Sequence, residues 1–194
     1  MRFKRTLFLL LLMIFLFSAA ACNSFAAGEE AGLVYTDPQL EMFIYISAPG
    51  WEGSKDNEQG VVYFEKKKSD YTIFAISSNI TREAGKSAEE LKEEIGYYWD
   101  YSKSGMEQGF ASFEWRKEPD IKAGEYDAAR YHFIGDIGGN EGIIEGDYFY
   151  WWTDSRLYIC SFTALTEDYA VEYETLKDAL LTFETYDEME EKAE

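Results

Sequence analysis

The sequence contains little cysteine, proline, histidine or positive charge. Its 194 residues include two Cys, three Pro, one His and 18 Lys and Arg against 37 Asp and Glu, a formal net charge of −19. Two cysteines cannot build a disulfide framework or a four-cysteine zinc site. One histidine cannot build a multi-histidine metal centre. The acidic excess argues against a nucleic-acid partner, since phosphate binding needs a basic face.

The chain is rich in apolar and aromatic side chains. Hydrophobic residues make up 46% of it and aromatic residues 18%. This composition is not that of a disordered protein, which lacks the apolar surface needed to offset the entropy of folding. The length fits one ordinary domain.

The N-terminus has the three parts of a secretory signal. Arg2, Lys4 and Arg5 form a basic flank, residues 7–17 are uninterrupted apolar residues, and small residues follow. A run of 11 residues is shorter than the roughly 20 needed to span a bilayer. It is also apolar on every side, unlike an amphipathic core helix. The sequence therefore predicts a signal peptide over residues 1–21 and an exported protein.

The residues after the apolar run resemble a lipobox, the motif after which a lipid is attached to cysteine. Ser18-Ala19-Ala20-Ala21-Cys22 places small residues before the cysteine. This pattern predicts a lipid anchor on Cys22, attachment to the extracytoplasmic face of the cell membrane, and a flexible tether over residues 22–32. The alternative is ordinary cleavage after Ala21 or Ala26, which would give a secreted protein.

The remainder alternates between strand and helix patterns. A helix is expected over 88–104, because Ser87 and Glu90 form a capping box and Gly105 supplies a stop. A second helix is expected from Thr166, with apolar residues at helical spacing up to Phe183. Strands are expected at residues 42–46, 61–64, 71–76, 110–116, 126–134, 143–153 and 156–164. A single domain over 33–185 is predicted, followed by an acidic tail over 186–194.

Several short motifs resemble the PsbP/Mog/DcrB-like group, over roughly residues 40–183. They are Pro49-Gly50-Trp51, Gly85-Lys86-Ser87-Ala88-Glu89-Glu90-Leu91, Gly124-Glu125-Tyr126-Asp127-Ala128-Ala129-Arg130-Tyr131, Arg156-Leu157-Tyr158-Ile159 and Leu181-Thr182-Phe183.

The resemblance implies an α+β fold in which an antiparallel sheet of about six or seven strands is sandwiched between helices, in the order β-β-β-α-β-β-β-β-α. That group includes photosystem accessory proteins, a Ran-binding import factor and many bacterial lipoproteins. It has no shared catalytic motif, and a fold by itself does not fix an activity.

No arrangement of residues indicates catalysis or a cofactor. His132 shares a strand face with Arg130 and is interpreted as a buried strand histidine. Asp136, Asn140 and Glu141 in the glycine-rich segment 135–142 are weak calcium-ligand candidates, since they supply oxygen atoms but do not follow the spacing of a calcium loop. A surface hairpin is the favoured interpretation of that segment, and no metal site is predicted.

Aromatic residues concentrate in two places. Tyr97, Tyr98, Trp99 and Tyr101 lie late in the first helix, and residues 148–152 are all aromatic. Strand alternation sends Phe149 and Trp151 to the face opposite the other three. Packing of both faces in the core is the favoured interpretation. Exposure of one set would instead give a binding patch, with Trp99, Trp151 and Trp152 as candidate ligand-binding residues.

The sequence therefore predicts a non-enzymatic binding or accessory protein of the cell envelope, whose partner is another envelope protein. The alternatives are a cell-wall carbohydrate-binding protein that uses exposed aromatic residues and, less favoured, a secreted hydrolase. Removal of residues 1–21 would take away Arg2, Lys4 and Arg5 and leave 173 residues with a formal charge of −22. Anionic head groups would repel so acidic a domain and hold it off the membrane surface.

Overall fold

Eleven strands and two helices make up the described part of the chain. The structure is a computed structural model that describes residues 25–28, 31–69, 71–139 and 142–188. Helix α1 spans Ala88–Gly109 and helix α2 spans Thr166–Leu181. The strands are β1 (Phe25–Gly28), β2 (Ala31–Asp37), β3 (Met42–Ile46), β4 (Trp51–Asp56), β5 (Val61–Lys66), β6 (Ile73–Thr81), β7 (Ser112–Ala123), β8 (Tyr126–Asp136), β9 (Ile143–Trp152), β10 (Arg156–Leu165) and β11 (Glu184–Thr185).

A seven-stranded antiparallel sheet forms the centre of the fold, in the order β4-β5-β6-β10-β9-β8-β7. A smaller sheet has the order β1-β2-β3-β11. Helix α1 covers one face of the large sheet, while α2 and the small sheet cover the other. The predicted α+β class, with an antiparallel sheet of about six or seven strands between helices, is confirmed.

Six described strands precede α1, where the predicted order has three, and β1, β2 and β4 are the additional ones. Strand β1 lies within the predicted tether and pairs with β2 through Ala26 and Val34. Strand β4 was not predicted, because its sequence Trp-Glu-Gly-Ser-Lys-Asp is polar and typical of a loop. It is an edge strand with only its terminal residues Trp51 and Asp56 buried, so it needs few apolar side chains.

Strand β7 is longer than predicted and continues through Pro119. Its pairing with β8 shifts in register between Glu118 and Ile121. Proline lacks the N–H that a central strand would need, but it is tolerated at a bulge on an edge strand. The outer position of β7 in the sheet therefore accommodates Pro119, which lies beyond the predicted end of this strand at residue 116.

Helix α1 begins as predicted and ends five residues later than predicted. The Ser87 hydroxyl accepts a hydrogen bond from the Glu90 backbone N–H at 3.3 Å, and the Ser87 N–H donates to the Glu90 carboxylate at 2.7 Å. Glycine in a helix costs only about 1 kcal/mol relative to alanine, so Gly105 alone does not stop it. The extra turn carries Met106, which packs on the apolar cluster beneath the helix.

Helix α2 begins at Thr166, as predicted, directly after β10. Tyr169, Leu176 and Leu180 are buried along its inner side, and Phe183 is buried just after its end. The turn between β7 and β8 lies beneath this end. There Gly124 has a φ of +54°, and a Cβ at this position would lie 2.1 Å from the Phe183 carbonyl oxygen. Only glycine fits this turn without strain.

The aromatic run of β9 packs on both faces of the sheet. Trp151 stacks on Tyr158 at 5.4 Å between ring centroids, in the cluster below α2. Tyr150 belongs to the cluster below α1. The predicted division of this strand between two covered faces is confirmed.

Candidate functional site

A buried cluster of charged and polar side chains lies between β8, β9 and α2. We name Arg130, His132, Asp147 and Tyr169 the buried polar cluster, with Glu145 at its edge. His132 on β8 lies directly across from Asp147 on β9, and Tyr169 approaches from α2. Sequence reasoning places Arg130 and His132 on one face, which is confirmed, but it gives no signal that Asp147 and Tyr169 meet them.

Asp147 is the centre of this cluster and is fully buried. One carboxylate oxygen accepts a hydrogen bond from Arg130 Nε at 2.7 Å and lies 3.4 Å from His132 Nδ1. The other accepts a hydrogen bond from the Tyr169 hydroxyl. Burial by itself would raise the pKa of Asp147, but the hydrogen bonds from His132, Arg130 and Tyr169 outweigh it and hold that pKa below its ordinary value.

Arg130 is bound on both sides of its guanidinium. Besides its bond to Asp147, it donates from Nη2 to the Tyr169 hydroxyl at 3.1 Å. Its guanidinium carbon lies 4.4 Å from the centre of the Tyr173 ring. Burial would lower the pKa of Arg130, but the hydrogen bond and charge of Asp147 reverse this and raise it. The arginine therefore stays charged and joins α2 to the sheet.

His132 is enclosed by acidic and phenolic groups. Its Nδ1 lies 3.3 Å from the Tyr169 hydroxyl, and its Nε2 lies 3.3 Å from a Glu145 carboxylate oxygen. The ring is 1% exposed, which confirms the interpretation of a buried strand histidine. A substrate atom would have to displace one of these neighbours to reach either ring nitrogen.

The buried polar cluster is therefore suited to a structural role, in which charged hydrogen bonds connect α2 to β8 and β9. The oxygens of Asp147 already accept hydrogen bonds, so this carboxylate is not poised to take a proton from a substrate. Burial, followed by the charge of Asp147, raises the pKa of Tyr169 and keeps its hydroxyl protonated. Cys160, elsewhere in the same core, is fully buried, and burial raises its pKa well above the ordinary value, which leaves the thiol unreactive.

The candidate ligand-binding tryptophans do not form an exposed surface, which corrects that prediction. Trp99 is 2% exposed and stacks on Tyr131 at 4.5 Å, and Trp151 is 0% exposed. Trp152 is half-buried, and its indole N–H donates to the Leu91 carbonyl at 3.1 Å. All three pack on the covered faces of the sheet, because the structure places a helix over each face.

The exposed aromatic residues are different ones. Helix α1 turns Trp99 toward the sheet and leaves Tyr97 and Tyr101 69% and 77% exposed. Trp115 on edge strand β7 is 41% exposed, with the Lys103 ammonium 4.9 Å from its ring centre. The sequence presents these tyrosines and Trp99 as one cluster. Residues two apart on a helix point about 200° apart, so this spacing alone indicates that Tyr97 and Tyr101 face away from Trp99.

The remaining predicted sites fall partly outside the described residues. Asp136 accepts a hydrogen bond from the Gly138 N–H at 2.8 Å, as in a surface turn, while Asn140 and Glu141 are not described. Within the described ranges, no group of three or more His, Cys, Asp or Glu side chains could hold a metal ion. The predicted signal peptide and Cys22 also lie outside the described residues. Among the helices described, none is both long and apolar enough to cross a membrane.

The similarity to known proteins is one of fold. No family model matches the sequence, and no curated protein matches it. The solution structure of cyanobacterial PsbP (CyanoP) from Synechocystis sp. PCC 6803 matches with a TM-score of 0.62 and 14% identity, over 86% of this chain and 98% of that one. A crystal structure from Bacteroides thetaiotaomicron VPI-5482 matches with a TM-score of 0.55 and 15% identity, over 80% of this chain and 48% of that one. The chain therefore has a PsbP-like fold, as its motifs imply.

Proposed function

We propose that this protein is an extracytoplasmic, non-enzymatic binding or accessory protein of the cell envelope, anchored in the membrane by a lipid on Cys22. The observation that carries the proposal is the exposure of Tyr97 and Tyr101 side by side on α1. The histidine and the central carboxylate, by contrast, are closed off in the buried polar cluster. Large exposed aromatic side chains are typical of binding surfaces, whereas a catalytic group must reach its substrate.

The N-terminal sequence supports the location. Residues 1–21 have the organisation of an export signal, and Cys22 follows the small residues of a lipobox-like motif. The acidic body, with a formal charge of −22 after removal of residues 1–21, suits a domain presented to a partner above an anionic membrane surface.

Metabolic labelling with a palmitate analogue tests the anchor. The wild-type protein should incorporate the label and partition into the membrane fraction, and Cys22→Ser should lose both properties. Equal labelling of the two proteins, or none on the wild type, would contradict the lipid anchor.

In-cell cross-linking tests the accessory role. The full chain with a C-terminal affinity tag should capture one envelope protein reproducibly and in near-stoichiometric amount, while an unrelated tagged lipoprotein should not. Recovery of no specific partner would contradict the proposal. Turnover of a cell-wall substrate that is lost in a folded Asp147→Asn variant would contradict its non-enzymatic part.

A further inference from the structure

One side of helix α1 carries an exposed pair of tyrosines flanked by acidic residues. We name Glu93, Tyr97, Asp100 and Tyr101 the tyrosine face. Residues three and four apart on a helix are neighbours, so Tyr97 lies next to each of the other three. All four are exposed, on the side of the helix opposite the buried Leu91, Ile95 and Trp99.

The acidic groups of the tyrosine face are not neutralised. Glu94, on a different side of the helix, pairs with Lys86, and Glu90 is held by Ser87 in the capping box. Glu93 and Asp100 form no ion pair with any residue that the structure describes. Two uncompensated carboxylates therefore lie beside two exposed aromatic rings.

The tyrosines of this face do little for the fold. Among the aromatic rings of the described residues, the Tyr97 ring contacts only that of its chain neighbour Tyr98, at 5.6 Å between centroids, and the Tyr101 ring contacts none. Each side chain is more than two thirds exposed, so neither fills the core. Their presence is not explained by packing.

Aromatic rings beside carboxylates attract cations. A Lys or Arg group is drawn to the face of a tyrosine ring, and more strongly when negative charge is close by. The same chain uses this contact internally, between Lys103 and Trp115 and between Arg130 and Tyr173. The overall negative charge would also steer a basic partner toward the protein.

We propose that the tyrosine face docks a lysine- or arginine-rich segment of a partner protein. The inference rests on the proposed accessory function and names the chemistry of the partner. The negative charge of the tyrosine face favours a basic segment over an acidic or purely apolar one, because only a basic segment would pair with Glu93 and Asp100.

The test is a titration of the full-length lipidated protein in detergent with fluorescently labelled deca-lysine and deca-arginine peptides at about 150 mM salt, where long-range attraction is largely screened. Tyr97→Ala with Tyr101→Ala should weaken binding about tenfold, the loss expected for two exposed cation–π contacts. Glu93→Gln with Asp100→Asn should weaken it similarly. Tyr97→Phe with Tyr101→Phe should bind like the wild type, because the rings remain. All substituted residues are exposed, so these variants should keep the wild-type melting temperature.

Helix α2 offers a matched control. Glu167 and Asp178 are exposed and form no ion pair with a described residue, so Glu167→Gln with Asp178→Asn removes the same charge from another surface. This variant should bind within about twofold of the wild type. Equal weakening by both charge-removing pairs would show general attraction to an acidic protein and would overturn the proposal. Unchanged binding by the double alanine variant would also overturn it.

Two other possible ligands of the tyrosine face, a second copy of the protein and a glycan, can be distinguished from a basic segment. Dimerisation in sedimentation experiments that is lost in the double alanine variant would assign the tyrosine face to a second copy and overturn the proposal. Displacement of the peptides by neutral cell-wall oligosaccharides would assign the tyrosine face to a glycan and overturn the proposal. If the cross-linked partner is still captured by the double alanine variant, the accessory function stands and this surface is wrong. If the wild type captures none, the accessory function itself fails.

Discussion

At the scale of single residues, Asp147 shows how one side chain can organise a region. The residue is fully buried, yet it stays ionised because Arg130 and Tyr169 donate hydrogen bonds to it and His132 lies beside it. Burial of a charge is costly unless such partners are present. Through Tyr169, the buried polar cluster links α2 to strands β8 and β9.

Asp147→Asn should destabilise the protein by about 3–5 kcal/mol, because the charge of Arg130 would be left without its counter-charge in the interior. Equilibrium unfolding in denaturant, followed by tryptophan fluorescence, measures this change. Asp127→Asn is the matched control on the same sheet, since Asp127 is exposed and pairs with Lys122 at 2.8 Å on the surface. A loss of less than about 1 kcal/mol is expected there. A similar small loss for Asp147→Asn would show that the cluster does not hold the fold.

The stability of the protein should fall at acidic pH. Asp147 and Asp37 both have pKa values held below the ordinary one, despite burial, by hydrogen bonds that include those from His132 to Asp147 and from Lys55 to Asp37. A carboxyl whose folded pKa is lowered contributes stability that is present above its unfolded pKa of about 3.9 and is lost as pH falls through the folded pKa.

We therefore expect titration of these two carboxyl groups to leave the melting temperature unchanged between pH 7 and pH 5. At pH values below about 4 it should lower the melting temperature. Thermal melts over a pH series measure it. In Asp147→Asn the drop should be shallower, because one of the two groups no longer titrates. An equally steep drop in that variant would show that other carboxyl groups cause the acid sensitivity.

At the scale of elements, the position of each residue around the axis of helix α1 decides whether its side chain is buried or exposed. Leu91, Ile95 and Trp99 form the buried stripe, while Tyr97 and Tyr101 face outward. Neighbours in sequence thus have different roles, one in the core and one on the surface. The helix continues past Gly105, and Met106 in its last turn packs on the apolar cluster below it.

Gly96→Ala should stabilise the protein by about 0.5–1 kcal/mol, because alanine restricts the unfolded chain and favours helix. Gly96 lies inside α1, and a Cβ at this position would meet no atom within 4 Å. Denaturant unfolding of the variant provides the measurement. Gly124→Ala is the contrasting control and should destabilise, since that glycine has a positive φ and an added Cβ would lie 2.1 Å from the Phe183 carbonyl oxygen. No gain from Gly96→Ala would indicate that α1 is not a continuous helix at this point.

At the scale of the whole molecule, the acidic charge is a source of internal repulsion. The formal net charge of −19 is spread over a small fold, and like charges destabilise a compact state. Salt screens this repulsion over a distance of about 10 Å at 0.1 M.

The melting temperature at pH 7 should therefore rise by a few degrees when sodium chloride is raised from about 10 to 150 mM. Differential scanning calorimetry measures the change. At about pH 4.5, where many carboxylates are protonated, the rise should largely disappear. A fall with salt at pH 7 would show that the surface ion pairs, and not the repulsion, dominate.

Much of the fold could be read from local sequence patterns. The capping box predicted the start of α1, the spacing of apolar residues predicted α2, and apolar runs and alternation predicted six of the seven strands of the large sheet. The short polar strand β4 and the strand β1 could not be predicted in this way, since each is formed by pairing with a neighbour rather than by its own propensity. The partners of His132 could not be predicted from local patterns either, because Asp147 and Tyr169 come from other elements of the chain.

The sequence by itself determined the acidic charge, the aromatic content, the export-signal pattern and the positions of the two helices. These depend on residue type and on spacing within one element. Only the tertiary structure decided which aromatic residues are buried and which are exposed, and that Asp147 lies at the centre of a closed polar cluster. The physical reason is that burial and charge pairing depend on what packs against a residue. For Trp99, Tyr97 and Asp147, the neighbours come from strands and helices that only folding brings together.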